Sequence, residues 1–232
     1  MASINPKNIA PALVITIDGP AGAGKSTIAK ELARRLKFAY LDTGAMYRAL
    51  TLKALEQKIN LSDENALIAL AKTTLIDLTT GENNLPKVLL DGKDVTEAIR
   101  SLEVTNSTAF IAKVPGVRAV MVERQREIGA KRSVVVEGRD IGTVVFPAAA
   151  KKFYLDADFK ERSRRRIDEL KAKGKNFNEE VLTKDLKERD TKDLTRPVGP
   201  LKRADDAILI DSTFLSIEEV TEKILGYINK KG

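Results

Sequence analysis

The sequence predicts an α/β domain in which a parallel central sheet lies between helices and carries a small antiparallel insert. Three patterns lead to this prediction. Short runs of β-branched and apolar residues, typical of strands buried on both faces, recur along the chain. Segments with the period of amphipathic helices alternate with these runs. Over residues 73–97 the pattern changes to short strands separated by turns.

A glycine motif joins the first predicted strand to the first predicted helix. Residues 13–17 form the strand pattern, and apolar residues at helical spacing occupy residues 28–36. Between them stands Gly19-x-x-x-x-Gly24-Lys25-Ser26, a P-loop in the strand, loop and helix context that the motif requires. A glycine-rich turn that only packs tightly is the alternative, and the complete motif in this context argues against it.

The chemistry of this motif points to phosphate. Glycines let backbone N–H groups point inward, and no Cβ blocks an approaching polyphosphate. The helix that begins near Lys25 adds the positive end of its dipole. Lys25 can reach the β- and γ-phosphates, and the Ser26 hydroxyl can ligate Mg²⁺. The residues predicted to form this nucleoside triphosphate site are Gly19, Pro20, Ala21, Gly22, Ala23, Gly24, Lys25, Ser26 and Thr27.

Composition restricts the chemistry further. The 232 residues include no Cys, His or Trp, which excludes Cys/His zinc sites, disulfides, thiol nucleophiles and histidine-based triads. Reactions must use Lys, Arg, Asp, Glu and bound Mg²⁺. Residues 1–12 lack the apolar core of a signal peptide and no 18-residue apolar run occurs, so we expect a soluble cytoplasmic protein without membrane partners.

The net charge of +7 fits polyanionic partners, either nucleic acid or nucleotides. With four Tyr and seven Phe, the chain carries no aromatic and basic signature of RNA binding, so we expect no nucleic-acid partner. No exposed apolar helix stands out in the sequence pattern, so we also expect a monomer.

The elements after the first helix follow in order. Residues 38–44 predict a second strand that ends in a turn, and residues 45–55 return to helical periodicity. Ser62 is the predicted N-cap of a helix over about residues 63–72. The insert then begins with residues 74–79, which we expect to pair with residues 87–90.

Two turns organise the predicted insert. Residues 81–84 (Gly-Glu-Asn-Asn) form the turn of an antiparallel hairpin, and Asp91-Gly92 precedes a third short strand at residues 93–95. Helical segments continue from there to Arg132, and one of them starts after Pro115.

The second half of the chain contains the remaining strands. Residues 133–140 predict a buried strand with polar residues at its exit, where open parallel sheets bind ligands. Further strands are predicted at residues 152–156 and 207–211, and residues 159–194 between them are strongly charged and mostly helical. A capping box of Ser216 and Glu219 marks the start of the last helix.

A P-loop does not identify the group that receives the γ-phosphate, but four other clusters bear on this question. They are residues 41–48, Val117-Arg118, residues 137–140, and residues 187–196 with Pro197. A lone arginine is more often a salt-bridged surface residue than a ligand. For Arg48, Arg139 and Asp140, however, the position at strand exits beside the P-loop favours binding.

Taken together, these motifs resemble the bacterial cytidylate kinases, from Ile15 to about Tyr227. The runs that carry the resemblance are IDGPAGAGK at 17–25, LDTGAMYR at 41–48, EGRDIGTVVFP at 137–147, KERD at 187–190 and IDST at 210–213. The resemblance implies transfer of a phosphoryl group from ATP to CMP or dCMP, with Mg²⁺ as cofactor. It also implies a P-loop three-layer fold with a helical lid.

The resemblance suggests a division of the chain. Residues 1–72, 98–158 and 180–232 would form the P-loop core, residues 73–97 an inserted monophosphate-binding β subdomain, and residues 159–179 a mobile lid.

The resemblance also assigns residues by position. Thr43 would meet the edge of cytosine, and Asp193 the ribose. The residues implied for CMP binding are Thr43, Gly44, Arg48, Arg118, Arg139, Asp140, Asp193 and Arg196. The residues implied for catalysis are Lys25, Arg139, Arg162, Arg166 and Arg189. The chain departs from the family at Ala109, where a serine can touch cytosine, and at the neighbouring Phe110, which replaces glutamine. Some members have Asp in place of Glu137.

Helical spacing adds two expectations. Arg162, Arg165, Arg166 and Glu169 share one face, which we interpret as part of a lid that closes on the phosphates and excludes water. The alternative is a solvated charged face.

Arg189, Asp193 and Arg196 also share a face, so we expect Asp193 to orient both arginines. Pro197 disfavours helix at Arg196, which predicts that this residue lies at the helix end. For Mg²⁺, the sequence offers Glu137 or Asp18 as a carboxylate that acts through water.

Three alternatives remain at this point. One is a kinase for another nucleoside monophosphate such as UMP, because no spacing rule gives a base preference. Another is a P-loop ATPase or GTPase switch that binds a protein or nucleic acid, although the chain has no Asn-Lys-x-Asp guanine-reading motif. The third is a basic nucleic-acid-binding module, whose affinity for oligonucleotides would fall steeply with salt.

Overall fold

The computed structural model describes residues 12–80, 86–172, 174 and 176–230. The strands in these ranges are β1 Val14–Asp18, β2 Ala39–Asp42, β3 Ile76–Thr80, β4 Pro86–Leu90, β5 Lys93–Asp94, β6 Val134–Gly138, β7 Lys151–Asp156 and β8 Ile208–Asp211. The helices are α1 Lys25–Leu36, α2 Thr43–Glu56, α3 Glu64–Thr73, α4 Leu102–Ala112, α5 Pro115–Lys131, α6 Phe159–Ala172, α7 Glu179–Thr195 and α8 Ile217–Asn229.

The central sheet has five strands in the order β2-β6-β1-β7-β8, and all of its pairs are parallel. Every residue of β6 is buried, as expected for a strand covered on both faces. In the register, Asp18 at the end of β1 lies beside Gly138 at the end of β6, and Glu137 lies beside Asp42 at the end of β2. Polar residues from three strand ends therefore meet at one edge of the sheet.

Helices cover both faces of the sheet and enclose two apolar cores. One core includes Leu50 and Met121, and the other includes Leu32, Phe153 and Ile224. Each fully buried side chain of this size contributes about 1.5–3 kcal/mol relative to an exposed one. The structure confirms the predicted α/β sandwich with its parallel sheet.

The insert is a separate antiparallel sheet in the order β3-β4-β5. Ile76 pairs with Leu90, and both side chains are buried in the core that contains α2. The predicted strands are confirmed, whereas the predicted turn at residues 81–84 lies outside the described residues. The third strand is limited to Lys93–Asp94, although the N–H of the buried Val95 still donates to the Val88 carbonyl of β4 at 2.9 Å.

Several predicted helix boundaries are confirmed. Pro115 occupies the first turn of α5. Ser216 and Glu219 form the capping box of α8. Arg196 has extended backbone angles and ends α7, as expected for a residue that precedes proline. Among the described residues, no helix combines the length and the apolar character needed to cross a membrane.

The predicted N-cap of α3 is wrong by one residue. Asp63, not Ser62, has the extended backbone of an N-cap, and its Oδ1 accepts a hydrogen bond from the Ala66 N–H at 3.0 Å. Ser62 instead donates its N–H to Asn60 Oδ1 at 2.9 Å. The preceding turn, organised by Asn60, moves the start of the helix one position along the chain.

This geometry predicts different effects for two neighbouring substitutions. Asp63→Ala should lower the free energy of unfolding by about 1 kcal/mol because it removes the cap. Ser62→Ala is the matched control and should change it by less than about 0.5 kcal/mol. Urea unfolding followed by circular dichroism measures both, and equal losses would contradict the assignment.

Candidate active site

The P-loop connects the end of β1 to the start of α1. Gly19 and Gly24 have φ angles of 150° and 91°, which side chains rarely adopt. A Cβ on Gly19 would also overlap the Leu155 carbonyl oxygen of the neighbouring strand β7. Within the described residues, no side chain caps α1. Its first N–H groups therefore point at the loop without a side-chain acceptor, which is the arrangement that binds phosphate.

Lys25 is buried beneath the loop. Its Nζ donates to the Pro20 carbonyl at 2.7 Å, and its relative exposure is 5%. Burial lowers the pKa of Lys25 to about 7, and the positive charges of Arg139 and Arg189 add to this effect. A bound anion would favour the charged form of this amine.

The end of β6 places a carboxylate beside Lys25 and Ser26. Glu137 is buried, and its Oε1 accepts a hydrogen bond from the Tyr40 hydroxyl at 2.5 Å. Burial and the charge of Asp42 raise the pKa of Glu137, while the nearby Lys25 and hydrogen bonds from Ser26 and Tyr40 lower it in part. This carboxylate therefore lies next to the predicted Mg²⁺ ligand Ser26.

Asp18, unlike Glu137, binds backbone N–H groups. Its two carboxylate oxygens accept hydrogen bonds from the N–H groups of Ile141 at 2.8 Å and Gly142 at 2.7 Å. Burial raises the pKa of Asp18 to about 6, against the effect of these two hydrogen bonds. Asp18 therefore fixes the turn after β6, where Arg139 and Asp140 lie.

Thr43 and Arg48 follow β2. The Thr43 hydroxyl donates to the Glu137 carbonyl at 2.7 Å, and Arg48 Nη2 lies 3.0 Å from Asp42 Oδ2. Gly44 lies in the first turn of α2, beside Arg48. Asp42 also caps α2 by accepting from the Ala45 N–H at 2.8 Å.

Asp140 joins two of the predicted arginines. Its Oδ2 accepts a hydrogen bond from Arg118 Nη2, and its Oδ1 accepts one from Arg196 Nη2 at 3.1 Å. Arg118 is 3% exposed and lies over the Tyr47 ring. Gly199 covers this pair, and its carbonyl accepts a hydrogen bond from Arg196 Nε.

The orienting role expected of Asp193 is only partly correct. Its Oδ2 accepts a hydrogen bond from Arg139 Nε at 2.7 Å, which the sequence did not predict, and Arg196 lies 4.0 Å away. Arg189 forms neither a hydrogen bond nor an ion pair within the described part of the chain. Partial burial lowers the pKa of Arg189 to about 10, with further lowering from Arg139, Arg48 and Arg166.

The arginines of α6 that share one helix face contact different parts of the molecule. Arg162 is buried against the P-loop, where Nη1 donates to the Ala21 carbonyl at 2.9 Å and to Asp190 Oδ2 at 2.5 Å. Arg165 binds the Ser212 carbonyl at 2.6 Å. Arg166 lies 2.6 Å from Glu169 and belongs to the cations around Arg189. Arg165 and Arg166 also pair with Glu161 and Glu169 at helical spacing on α6, whereas the carboxylate that binds Arg162 comes from α7.

Three site residues were not identified from the sequence. They are Tyr40, which donates to Glu137, Asp42, which pairs with Arg48, and Asp190, which contacts the P-loop. Asp190 belongs to the KERD run, and the other two flank Leu41 at the start of the LDTG run. These motifs are visible in the sequence, but Tyr40 and Glu137 are 97 positions apart, and Asp190 lies 169 positions from Ala21 of the P-loop. Separations of this size leave no local signal of the pairing.

The site as a whole gathers positive charge at the strand ends. A group of cations lies around the P-loop, and the charges of several of them lower the pKa of Lys25 or Arg189. These cations are Lys25, Arg48, Arg139, Arg166 and Arg189. Asp42, Asp193 and Glu169 pair with Arg48, Arg139 and Arg166, and bound anions would stabilise the remaining positive charge. The P-loop is one candidate anion site, and the adjoining arginines are a second.

The comparisons with known proteins agree on one family. The family model described as cytidylate kinase matches residues 15–230. The cytidylate kinase of Desulforamulus reducens is 53% identical over 216 residues, covering 93% of this chain and 96% of that protein. The cytidylate kinase of Bacillus licheniformis is 50% identical over 219 residues, covering 94% of this chain and 97% of that protein.

A solved structure is similar in fold. The crystal structure of an uncharacterized protein from Eubacterium ventriosum gives a TM-score of 0.50 at 13% identity, covering 94% of this chain and 99% of that one. At this identity the likeness concerns the fold alone.

The contact of Gly199 with Asp140 and Arg118 predicts a loss of stability. Gly199 and Gly92 both have positive φ, at 58° and 83°, but only a Cβ on Gly199 would overlap Asp140 Oδ2 and Arg118 Nη2. Gly92→Ala should cost about 1 kcal/mol from backbone strain. Gly199→Ala should cost about 2–4 kcal/mol, because overpacking adds to this strain. Urea unfolding measures the free energy of unfolding of both variants. Equal losses would show that the backbone around residue 199 shifts to make room for the Cβ.

Proposed function

The chain belongs to the cytidylate kinase family, and we propose that it transfers the γ-phosphoryl group of ATP to CMP or dCMP, giving ADP and CDP or dCDP. The observation that carries this proposal is the group of arginines next to Lys25 of the P-loop. Two adjoining sites for anions are what a transfer between two phosphorylated nucleotides requires.

The P-loop residues Gly19 to Thr27 form the donor site in this proposal. Their N–H groups and Lys25 hold the β- and γ-phosphates. Mg²⁺ fits beside them, because it takes few protein ligands and keeps water and phosphate oxygens as the others. Ser26 would hold it directly and Glu137 through water, since the oxygens of Asp18 accept from the backbone. The ion would neutralise charge on the transferred group.

The acceptor site would begin at Thr43, whose hydroxyl donates to the Glu137 carbonyl. Arg118, Asp140, Thr43 and Gly44 would surround the base, and Asp193 the ribose. Arg48, Arg139 and Arg196 would bind the CMP phosphate, whose fork-shaped recognition suits arginine. The carboxylates of Asp42, Asp140 and Asp193 hold these arginines in place before the nucleotide arrives.

Charge stabilisation accounts for the chemistry. The transferred phosphoryl group bears charge on its equatorial oxygens, and positioned cations lower the barrier without a strong base. Arg139 and Arg189 lower the pKa of Lys25 through their charge, and Arg139 also lowers that of Arg189. Arg162 and Arg166 would contribute from α6, and closure of residues 159–179 would exclude water and prevent ATP hydrolysis.

The proposal also includes the division of the chain and its setting. Residues 1–72, 98–158 and 180–232 would act as the core, residues 73–97 as the monophosphate-binding subdomain, and residues 159–179 as the lid. We propose that the protein works as a cytoplasmic monomer, where its nucleotide substrates occur.

The first experiment measures ADP production from Mg-ATP with CMP, dCMP, UMP, AMP, GMP and no acceptor. We expect fast turnover with CMP and dCMP, slower turnover with UMP, and negligible turnover without an acceptor. Preference for UMP would favour a different monophosphate kinase. Equal rates with every acceptor, or full activity with none, would favour a general ATPase.

A substitution tests the acceptor arginine. Arg139→Ala should lower kcat/KM for CMP about 100-fold or more, because a positioned charge at the transferred group is lost. The KM for ATP should change much less. The control is Arg203→Ala, which removes an exposed arginine outside the site. Unchanged kinetics with CMP in Arg139→Ala would remove this residue from the acceptor site.

A further inference from the structure

The peptide group between Pro20 and Ala21 is held from both sides. Its carbonyl accepts a hydrogen bond from Lys25 Nζ at 2.7 Å. Its N–H donates to Asp190 Oδ1 at 3.3 Å, from α7. A hydrogen bond at one end of a peptide group polarises the other end, so the carboxylate strengthens the acceptor that holds Lys25. Asp190 is thus one peptide away from the P-loop lysine.

The next peptide is held by Arg162 of α6. Its Nη1 donates to the Ala21 carbonyl at 2.9 Å and to Asp190 Oδ2 at 2.5 Å, and its Nε donates to the Ala157 carbonyl at 3.0 Å. The backbone of α6 also lies close to Gly22, where a Cβ would come within 3.0 Å of the Arg162 carbonyl oxygen. Two consecutive peptide groups of the P-loop are therefore hydrogen-bonded to a buried ion pair.

The pairing explains why a carboxylate lies beside a loop built to bind anions. An uncompensated negative charge there would repel phosphate, but Arg162 neutralises Asp190, and both side chains are buried. Asp190 accepts a hydrogen bond from the Ala21 N–H, and Arg162 donates one to the Ala21 carbonyl. Neither the glycine motif nor helical spacing predicts this arrangement.

We propose that Asp190 and Arg162 are positioning residues that hold the Pro20–Ala21 and Ala21–Gly22 peptides, and through them Lys25, in the geometry that receives the phosphates of the donor nucleotide. This inference rests on the proposed function for the identity of that nucleotide. Asp190 is adjacent in sequence to Arg189, so the same turn of α7 supports the P-loop and carries a cation of the cluster.

The test uses Asp190→Asn and Asp190→Ala in the full chain. Asparagine keeps an oxygen that can accept from Ala21 N–H but leaves Arg162 unneutralised, whereas alanine removes both contacts. We expect the Kd for ADP, measured by calorimetry without CMP, to rise about tenfold in Asp190→Asn and further in Asp190→Ala. The KM for ATP should rise in parallel, and the KM for CMP should stay within about twofold.

The matched control is Asp185→Asn, the same change at an exposed position of the same helix. It should leave the Kd for ADP unchanged. Thermal unfolding of each variant sets a working temperature at which all remain folded, and Asp190→Asn supplies the result if the alanine variant does not fold.

The outcomes separate this inference from others. A lowered Tm with an unchanged Kd for ADP would show that the ion pair only stabilises the fold, and tighter ADP binding would show that Asp190 repels phosphate; either result overturns the proposal. ADP binding requires no acceptor. If wild-type protein binds ADP but does not phosphorylate CMP, the proposed function fails while the role of Asp190 is still tested.

Discussion

The concentration of positive charge at one edge of the sheet is the constraint on which this site depends. Burial lowers the pKa of Lys25 and of Arg189, and the positive charge of Arg139 lowers both further. Carboxylates compensate part of that charge, since Asp193 holds Arg139 and Asp140 holds Arg118 and Arg196. The remainder is compensated when phosphates bind. Repulsion between these cations favours the binding of polyanions.

The parallel sheet makes this concentration possible. Because the ends of β1, β2 and β6 lie side by side, residues separated by about a hundred positions come into contact there. Backbone hydrogen bonds to Asp18 then fix the turn that carries Arg139 and Asp140. A carboxylate that first looks like a metal ligand therefore serves to orient the acceptor side, which leaves Glu137 beside Ser26.

The helices α6 and α7 connect the donor and acceptor sides. Arg162 and Asp190 rest on the P-loop, and Asp193, one turn along α7, holds Arg139. Each of these contacts joins a charged residue from the last third of the chain to a loop that follows a strand of the central sheet. A shift of α7 would consequently alter both the support of the P-loop and the orientation of Arg139.

The sequence by itself determined the P-loop, the order of strands and helices, the antiparallel insert and most of the residues that meet at the strand ends. These depend on local patterns: glycine spacing, apolar periodicity and motifs read over a few neighbouring residues. Predictions from the sequence were wrong where a cap or an ion pair depended on which residues come into contact in the fold. The α3 cap moved to Asp63 because Asn60 organises the preceding turn. Arg162 paired with Asp190, and Asp193 paired with Arg139, because the packing of distant elements decides which opposite charge each of these two guanidinium groups meets. Such pairings depend on distances across the fold, which a local pattern does not contain.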